Sequence, residues 1–272
     1  MIEIITSKDS KTLKFAQSLQ KKKYRTLHQA YLAEGLRTVV DMMPTGYVQS
    51  VLMTDVFRDS EDGEAVVKEA EGRSISVYVM NQTLFKQVEK TVHGQGIVGI
   101  VKKQSLSMDD VVKDFTEKPE KAIYALLDEV QDPGNLGTII RTALAAGVKA
   151  IFLTKGSVDP YNEKTVRSTM SAITKLPIIE DVDLETMRAL KSQLGLTFYG
   201  TALEEATSLY KTNFTYPAVF LLGNEARGLS AEWLQMADKR VHIPMYGPIE
   251  SLNLNVAAAL CFYAARECDD CE

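Results

Sequence analysis

In the second half of the chain, short apolar runs alternate with longer windows whose apolar positions recur at helical spacing. Residues 123–127, 150–153, 196–200, 218–222 and 240–243 read as strands, and residues 136–146, 163–174, 184–194, 231–237 and 254–265 read as helices. Strands as apolar as most of these are buried on both faces, which predicts a parallel sheet covered by helices on each side. The first hundred residues alternate less regularly. Strands are expected at 2–5, 48–53, 74–79 and 97–101, and helices at 8–19, 35–42, 64–71 and 82–90, giving a smaller α/β domain. Residues 102–121 are polar and charged, with Pro119 near their end, and read as a linker. The expected division is a first domain at 1–101, a linker at 102–121 and a second domain at 122–272.

Three polar, glycine-bearing stretches interrupt the apolar pattern of the second half. They are Asp132-Pro-Gly-Asn-Leu-Gly137 with Arg141 beyond it, Gly223-Asn-Glu-Ala-Arg-Gly-Leu229, and Ile243-Pro-Met-Tyr-Gly-Pro-Ile-Glu-Ser-Leu-Asn253. Each lies beside a strand, where open parallel sheets bind their ligands, and only a chain free of large side chains lets a ligand approach its backbone closely. In the first stretch, Asn135 is suited to cap the helix that carries Arg141, and Asp128, Glu129 and Asp132 form an acidic group with no phosphate site to complete a magnesium shell. In the second, Glu225 has Arg227 or Arg141 as candidate ion-pair partners. In the third, Ser251 is placed to cap the last helix, and Asn253 and Asn255 beside it are explained by a ligand they line. Neither G-x-G-x-x-G nor G-x-x-x-x-G-K-[ST] occurs, so those two phosphate-binding devices are excluded.

Composition narrows the class. With 272 residues, 45% of them hydrophobic, the chain can build two domains with their own cores. No apolar run approaches the roughly 20 residues of a membrane span, and the opening MIEIITSKDSK is unfit for secretion, so a cytoplasmic protein is expected. Cys261 falls in an apolar helix and reads as a small core residue. Cys268 and Cys271 form a lone Cys-x-x-Cys in an acidic tail, with His28, His93 and His242 remote, so no metal site is expected. The net charge of -5 argues against a surface coated in positive potential, but its distribution is uneven. Residues 1–118 carry 17 Lys and Arg against 16 Asp and Glu, whereas 119–272 carry 14 against 20. Lys8, Lys11, Lys14, Lys21, Lys22, Lys23, Arg25 and Arg37 crowd the beginning, either as solvated helix faces or as a patch that meets phosphate.

Taken together, N-x-x-x-x-x-R from Asn135 to Arg141, G-N-E-x-x-G-L from Gly223 and I-P-M-x-G-x-x-E-S-L-N-x-x-x-A from Ile243 resemble the three motifs of the SpoU (TrmH) family of RNA ribose 2'-O-methyltransferases, in the SPOUT superfamily. The resemblance spans about Ala122 to Ala265. Residues 25–39, with Leu32-Ala-Glu-Gly35, and His93-Gly-Gln-Gly96 resemble the small ribosomal-protein-like substrate domain often fused in front. It implies an α/β domain tied in a trefoil knot, a path that composition and periodicity do not foretell. It also implies a homodimer through the C-terminal domain and S-adenosylmethionine (SAM) held in the knotted loops. RNA is the implied substrate, ribosomal RNA of the large subunit in preference to transfer RNA.

By matching position, the resemblance sets SAM against the backbone of Gly223, Ile243 and Leu252. Thr201, Ala202, Leu222, Asn224 and Gly228 surround it on one side, and Met245, Asn253 and Ala257 on the other. Arg141 falls on the arginine assigned to catalysis, and Asn135, Glu225, Ser251 and Asn253 on the polar groups around it. Asn255 stands where relatives frequently carry Ser, which bears on fine substrate contacts. Two other readings remain: a knotted RNA-binding protein without catalysis, and an unrelated α/β enzyme of small metabolites, against which the separate first domain speaks.

Overall fold

The computed structural model describes residues 2–91, 94–104, 110, 112–113 and 121–266. Expectations that fall on His93, Cys268 and Cys271, and on most of the 102–121 linker, lie outside the described residues. The chain separates into two compact units, Met1–Gln104 with Asp159–Lys175, and Ser105–Val158 with Leu176–Glu272. The expected division is corrected at two places: residues 159–175 fold with the first unit, and so do 102–104, which were expected to begin the linker.

In the first unit, β1 (Ile2–Ile5), β2 (Ala30–Glu34), β3 (Val48–Thr54), β4 (Ser76–Met80) and β5 (Ile97–Lys102) form a mixed sheet in the order β1-β4-β3-β5-β2. Both β2 and β3 run antiparallel to β5, while β4 runs parallel to β1 and β3. Its helices are α1 (Lys11–Ser18), α2 (Lys22–His28), α3 (Leu36–Met42), α4 (Asp55–Arg58), α5 (Glu61–Gly72) and α6 (Gln82–Phe85). Leu13, Leu19, Leu52, Phe85 and Ile100 join one buried cluster between helices and sheet. Strand β2 was not expected: its Ala-Tyr-Leu-Ala-Glu run has weak β-propensity, and its ladder with β5 supplies what local sequence does not.

The segment 159–175 joins this unit through chemistry that spacing along the chain cannot reveal. Arg25 donates to Asp159 Oδ2 through Nε at 3.0 Å and Nη2 at 2.5 Å, and through Nη1 to the Leu19 carbonyl at 2.9 Å. Both side chains are buried, at 5% and 8% exposure. Tyr161 packs on Tyr31, with the Lys103 ammonium 4.0 Å from its ring centre. The helix expected over 163–174 is shorter, α7 at Glu163–Thr169. It stops where Met170 and Ser171 enter left-handed backbone, and a 3-10 turn at Ala172–Thr174 follows. Arg25 is therefore withdrawn from the basic stretch expected to meet phosphate. Lys8, Lys11, Lys14, Lys21, Lys22, Lys23 and Arg37 remain exposed.

The second unit is an all-parallel sheet of β6 (Ile123–Leu127), β7 (Ile151–Thr154), β8 (Ile178–Val182), β9 (Thr197–Thr201), β10 (Thr207–Ser208), β11 (Ala218–Leu222) and β12 (Lys239–His242). Their order is β10-β12-β9-β11-β6-β7-β8. Every residue of β6, β7 and β11 is buried, as strands covered on both faces require. The helices are α8 (Pro133–Ala145), α9 (Leu184–Leu194), α10 (Ala231–Met236) and α11 (Leu254–Ala264). Leu126, Phe152, Phe198, Leu221 and Trp233 share one core cluster, and Cys261 is buried, its thiol pushed up to about 12 by burial. After β12 the chain returns inward, so that α11 packs on α8 and β11. Strand β8 escaped expectation because Glu180 and Asp181 interrupt its apolar run at the sheet edge. Among the described residues, no helix is long and apolar enough to cross a membrane.

The buried Arg25–Asp159 pair makes a testable claim about the first unit. Asp159→Ala leaves an uncompensated buried guanidinium and is expected to cost about 3–5 kcal/mol. Lys14→Ala, which breaks an exposed pair with Asp9, is expected to cost less than about 1 kcal/mol. Urea-unfolding midpoints of the two variants check the ranking.

Candidate active site

The three glycine-bearing loops follow β6, β11 and β12, all at carboxyl ends of the parallel sheet. In the first loop the chain turns at Glu129, left-handed at φ 51, and enters α8 through Asp132. Asp132 caps the helix, its Oδ1 accepting from the Asn135 N–H at 2.8 Å, with Pro133 at the first helical position where no N–H is needed. The expected cap at Asn135 is thereby corrected: three residues into the helix, its side chain is free for other partners. Asn135 Nδ2 donates to Glu225 Oε1 at 3.1 Å, and Asn135 Oδ1 accepts from Asn253 Nδ2 at 3.2 Å. One side chain from each loop is thus joined in a single relay.

Glu225 is the hub of that relay. Besides Asn135, its carboxylate accepts the backbone N–H of Gln131 and of Asp132, both at 3.1 Å. Burial pushes the Glu225 carboxyl up, but the hydrogen bonds from Asn135, its own backbone, Gln131 and Asp132 outweigh burial and hold it below its usual value. The ion pairs expected for Glu225 are corrected as well, since Arg227 pairs with Glu129 instead. The acidic residues of the first loop are each engaged. Asp128 accepts from the Ser230 N–H and the Thr154 hydroxyl, Glu129 from Arg227, and Asp132 caps the helix. Among the described residues, no group of three or more His, Cys, Asp or Glu side chains is placed to hold a metal ion.

The second loop closes on itself. Asn224 and Gly228 exchange both backbone hydrogen bonds, and Asn224 Oδ1 accepts from the N–H groups of Ala226 and Arg227. Gly223 sits so close beneath this turn that a Cβ would lie 2.0 Å from the Gly228 carbonyl carbon and 2.0 Å from the Leu229 nitrogen. Leu222, at the end of β11, accepts from the Asp128 N–H. Thr201 Oγ1 donates to the Leu221 carbonyl at 3.0 Å and the Ala202 N–H to the Val241 carbonyl at 3.0 Å, tying the end of β9 to both neighbouring strands.

In the third loop Asn253, not Ser251, caps α11: its Oδ1 accepts from the Asn255 N–H at 2.9 Å. The same side chain therefore ends the loop, starts the helix and reaches Asn135. Ile243, Met245 and Leu252 are half-buried, yet among the described residues their backbone N–H and C=O groups make no hydrogen bond. Groups so placed ordinarily find partners, so this backbone is suited to a ligand rich in hydrogen-bonding edges. Ala257 lies one turn into α11, its N–H donating to the Asn253 carbonyl. Arg141, on α8, and Ser251 are exposed, and neither side chain bonds to another described residue. Asn135, Glu225 and Asn253 are brought together, while Arg141 and Ser251 stand outside the relay. Sequence reasoning missed Gln131 and the Glu129–Arg227 pair. The first acts through its backbone, which no motif marks, and the second depends on a left-handed turn.

Residues 122–263 match the model of the SpoU rRNA Methylase family, and residues 10–99 match that of an MRM3-like substrate binding domain. The chain belongs to the SpoU methylase family. It is 32% identical over 267 residues to the 23S rRNA (guanosine(2553)-2'-O)-methyltransferase RlmP of Bacillus subtilis, across 98% of this chain and 100% of that protein. Its structure is similar to the AdoMet-bound rRNA methyltransferase from Sinorhizobium meliloti, with a TM-score of 0.84 and 29% identity over 98% of each chain. The SpoU methyltransferase AviRb from Streptomyces viridochromogenes, in complex with the cofactor AdoMet, is similar at a TM-score of 0.81 and 25% identity, over 94% of this chain and 97% of that one. The α/β architecture, with a substrate-binding domain ahead of a SPOUT-type methylase domain, agrees with the expectation from the three motifs.

Two glycines of the second loop differ in what they tolerate. Gly228→Ala places a Cβ in open space at φ +71 and is expected to cost about 1–2 kcal/mol for left-handed backbone. Gly223→Ala meets backbone instead and is expected to cost more and to weaken SAM binding, as thermal unfolding and calorimetric titration with SAM will measure.

Proposed function

We propose that this protein transfers a methyl group from SAM to a ribose 2'-hydroxyl of large-subunit ribosomal RNA. The observation that carries the reading is the relay Glu225–Asn135–Asn253, which locks the three family motifs around unpaired backbone of the third loop. Transfer RNA, the alternative substrate, has less support, because a relative matched over nearly the whole chain, RlmP of Bacillus subtilis, is named for 23S rRNA. The exposed lysines at 21–23 are suited to phosphate contacts from the first unit.

The third-loop backbone fits the adenosine and methionine parts of SAM, with Gly223 and Leu222 on the other side. Thr201, Ala202, Asn224, Gly228 and Ala257 shape the surroundings. Bound there, SAM supplies an electrophilic methyl on a sulfonium, so the ribose oxygen gains the methyl, the neutral thioether leaves and one proton is released. The protein's part is chiefly alignment, because well-placed reactants need little further chemistry. Asn253, fixed by Asn135 and by its own capping role, orients the ribose together with the exposed Ser251. Glu225 holds the relay rigid and has its charge satisfied by amides. A guanidinium makes a poor base, so we assign Arg141 to the target phosphate and to the alkoxide character that develops on the 2'-oxygen.

The knotted path implied by the family resemblance is supported by the return of α11 onto α8 and β11. A homodimer through this unit is supported by large apolar side chains left exposed: Leu203 at 73%, Tyr246 at 92% and Ile249 at 61%.

Two measurements test the reading. In single-turnover methylation of 23S rRNA transcripts, Arg141→Ala is expected to lower the rate about 100-fold or more and Arg141→Lys to recover only part of it. Near-normal rates in both variants would remove Arg141 from the chemistry. Equilibrium sedimentation at micromolar concentration is expected to give a dimer that Tyr246→Asp with Ile249→Asp dissociates. A wild-type monomer would sink the assembly proposal.

A further inference from the structure

The sheet of the first unit carries an open cavity of about 370 Å³, lined by polar side chains beside apolar ones, that methyl transfer leaves unused, between the start of α1 and strands β3, β4 and β5. Strand register builds its floor. Ser50 on β3 lies opposite Ser76 on β4 and Ile100 on β5, and Tyr78, two residues beyond Ser76, shares that face. A bulge adds one more group. Val48 pairs with Val101 and Ser50 with Ile100, so Gln49 is the extra residue on β3, and bulges serve to re-aim side chains in this way. Lys11, Thr12 and Phe15 of α1 form the opposite wall.

The hydrogen-bonding state of these groups is what singles out the cavity. Lys11, Thr12, Gln49, Ser50, Ser76 and Tyr78 all line it, and none makes a side-chain hydrogen bond or ion pair with another described residue. Ser50 is only 8% exposed. Lys11 and Gln49 are exposed and Thr12, Ser76 and Tyr78 are half-exposed, so these groups are open to a ligand that enters. Convergent, unpaired polar groups beside aromatic rings are the composition of a ligand pocket, and the volume lies at the small end of the roughly 300–1,000 Å³ such pockets span.

We infer that this cavity holds one unstacked nucleotide of the RNA substrate. Phe15 and Tyr78 offer ring surface to a base. The Gln49 amide and the hydroxyls of Ser50, Ser76 and Thr12 offer both donors and acceptors to a base edge, and Lys11 sits at the exposed rim for the attached phosphate. A lone phosphate would leave the ring wall unused, and a duplex would not enter so small a space. The inference rests on RNA being the substrate, but it concerns the first unit and is read by contact, not by methyl transfer.

The test uses the full-length protein and a 23S rRNA transcript carrying 4-thiouridine, irradiated and mapped by mass spectrometry of crosslinked peptides. Crosslinks at Tyr78 or Phe15 are expected. Ser76→Phe, which fills the cavity, and Lys11→Ala with Gln49→Ala, which alters only exposed positions, should each weaken transcript binding about tenfold while leaving the SAM dissociation constant unchanged. Absence of crosslinks in this unit, or unaltered transcript affinity in both variants, overturns the inference. So does a shift of Tyr78 ring resonances on titration with AMP or UMP if transcript affinity stays unaltered in the variants, since the cavity would then serve free nucleotides. Methylation of the transcript is scored separately: activity without these crosslinks rejects the cavity and spares the enzymatic reading, and the reverse outcome rejects the enzymatic reading alone.

Discussion

A carboxylate that collects three N–H donors from a loop about 90 residues away holds the second unit's site together. Glu225 receives Asn135, Gln131 and Asp132 at once, two of them through backbone that follows the left-handed turn at Glu129. The consequence is directional. Because the Asn135 amide gives its N–H to Glu225, its oxygen must face the other way, and there it meets the Asn253 amide. Asn253 in turn begins α11, the helix that packs on α8, from which Asn135 projects. The relay and the helix packing therefore constrain one another, and loosening either would release the third loop.

Much of this second unit was legible because its signals are local. Apolar runs marked β6, β7, β9 and β11, and the glycine-bearing stretches marked the carboxyl ends where ligands bind. What failed was local competition for the same role. Asn135 and Ser251 are both sound capping residues by type, but Asp132 and Asn253 stand where the backbone actually enters the helix, and each takes the cap. Sequence can say that a cap is nearby and cannot say which of two neighbours faces the free N–H groups. Displacing Asn135 from the cap is also what frees it for the relay, so the misreading and the functional arrangement share one cause.

The first unit resisted for a different reason: its decisive contacts span long stretches of chain. Residues 159–175 follow β7 directly and carry helical periodicity, yet Arg25, 134 residues earlier, claims Asp159 in a buried pair. Removing that arginine from the expected basic stretch leaves seven exposed cations between Lys8 and Arg37. Exposed cations attract a polyanion but specify nothing. Selectivity in this unit has to come from shaped, neutral polar groups, and the unpaired hydroxyls and the bulged Gln49 on its sheet are of that kind.

The charge state of the relay follows from the same geometry. A carboxyl held below its ordinary value is ionised in the fold at pH values where the unfolded group, near 4.3, is half protonated. Its contribution to stability is therefore fully present above that value and declines only as pH falls through the lower, folded value. Across the neutral range the Glu225 acceptor is constant, and the orientation of Asn135 and Asn253 does not titrate with it. The alignment that the relay gives the third loop therefore holds unchanged through neutrality.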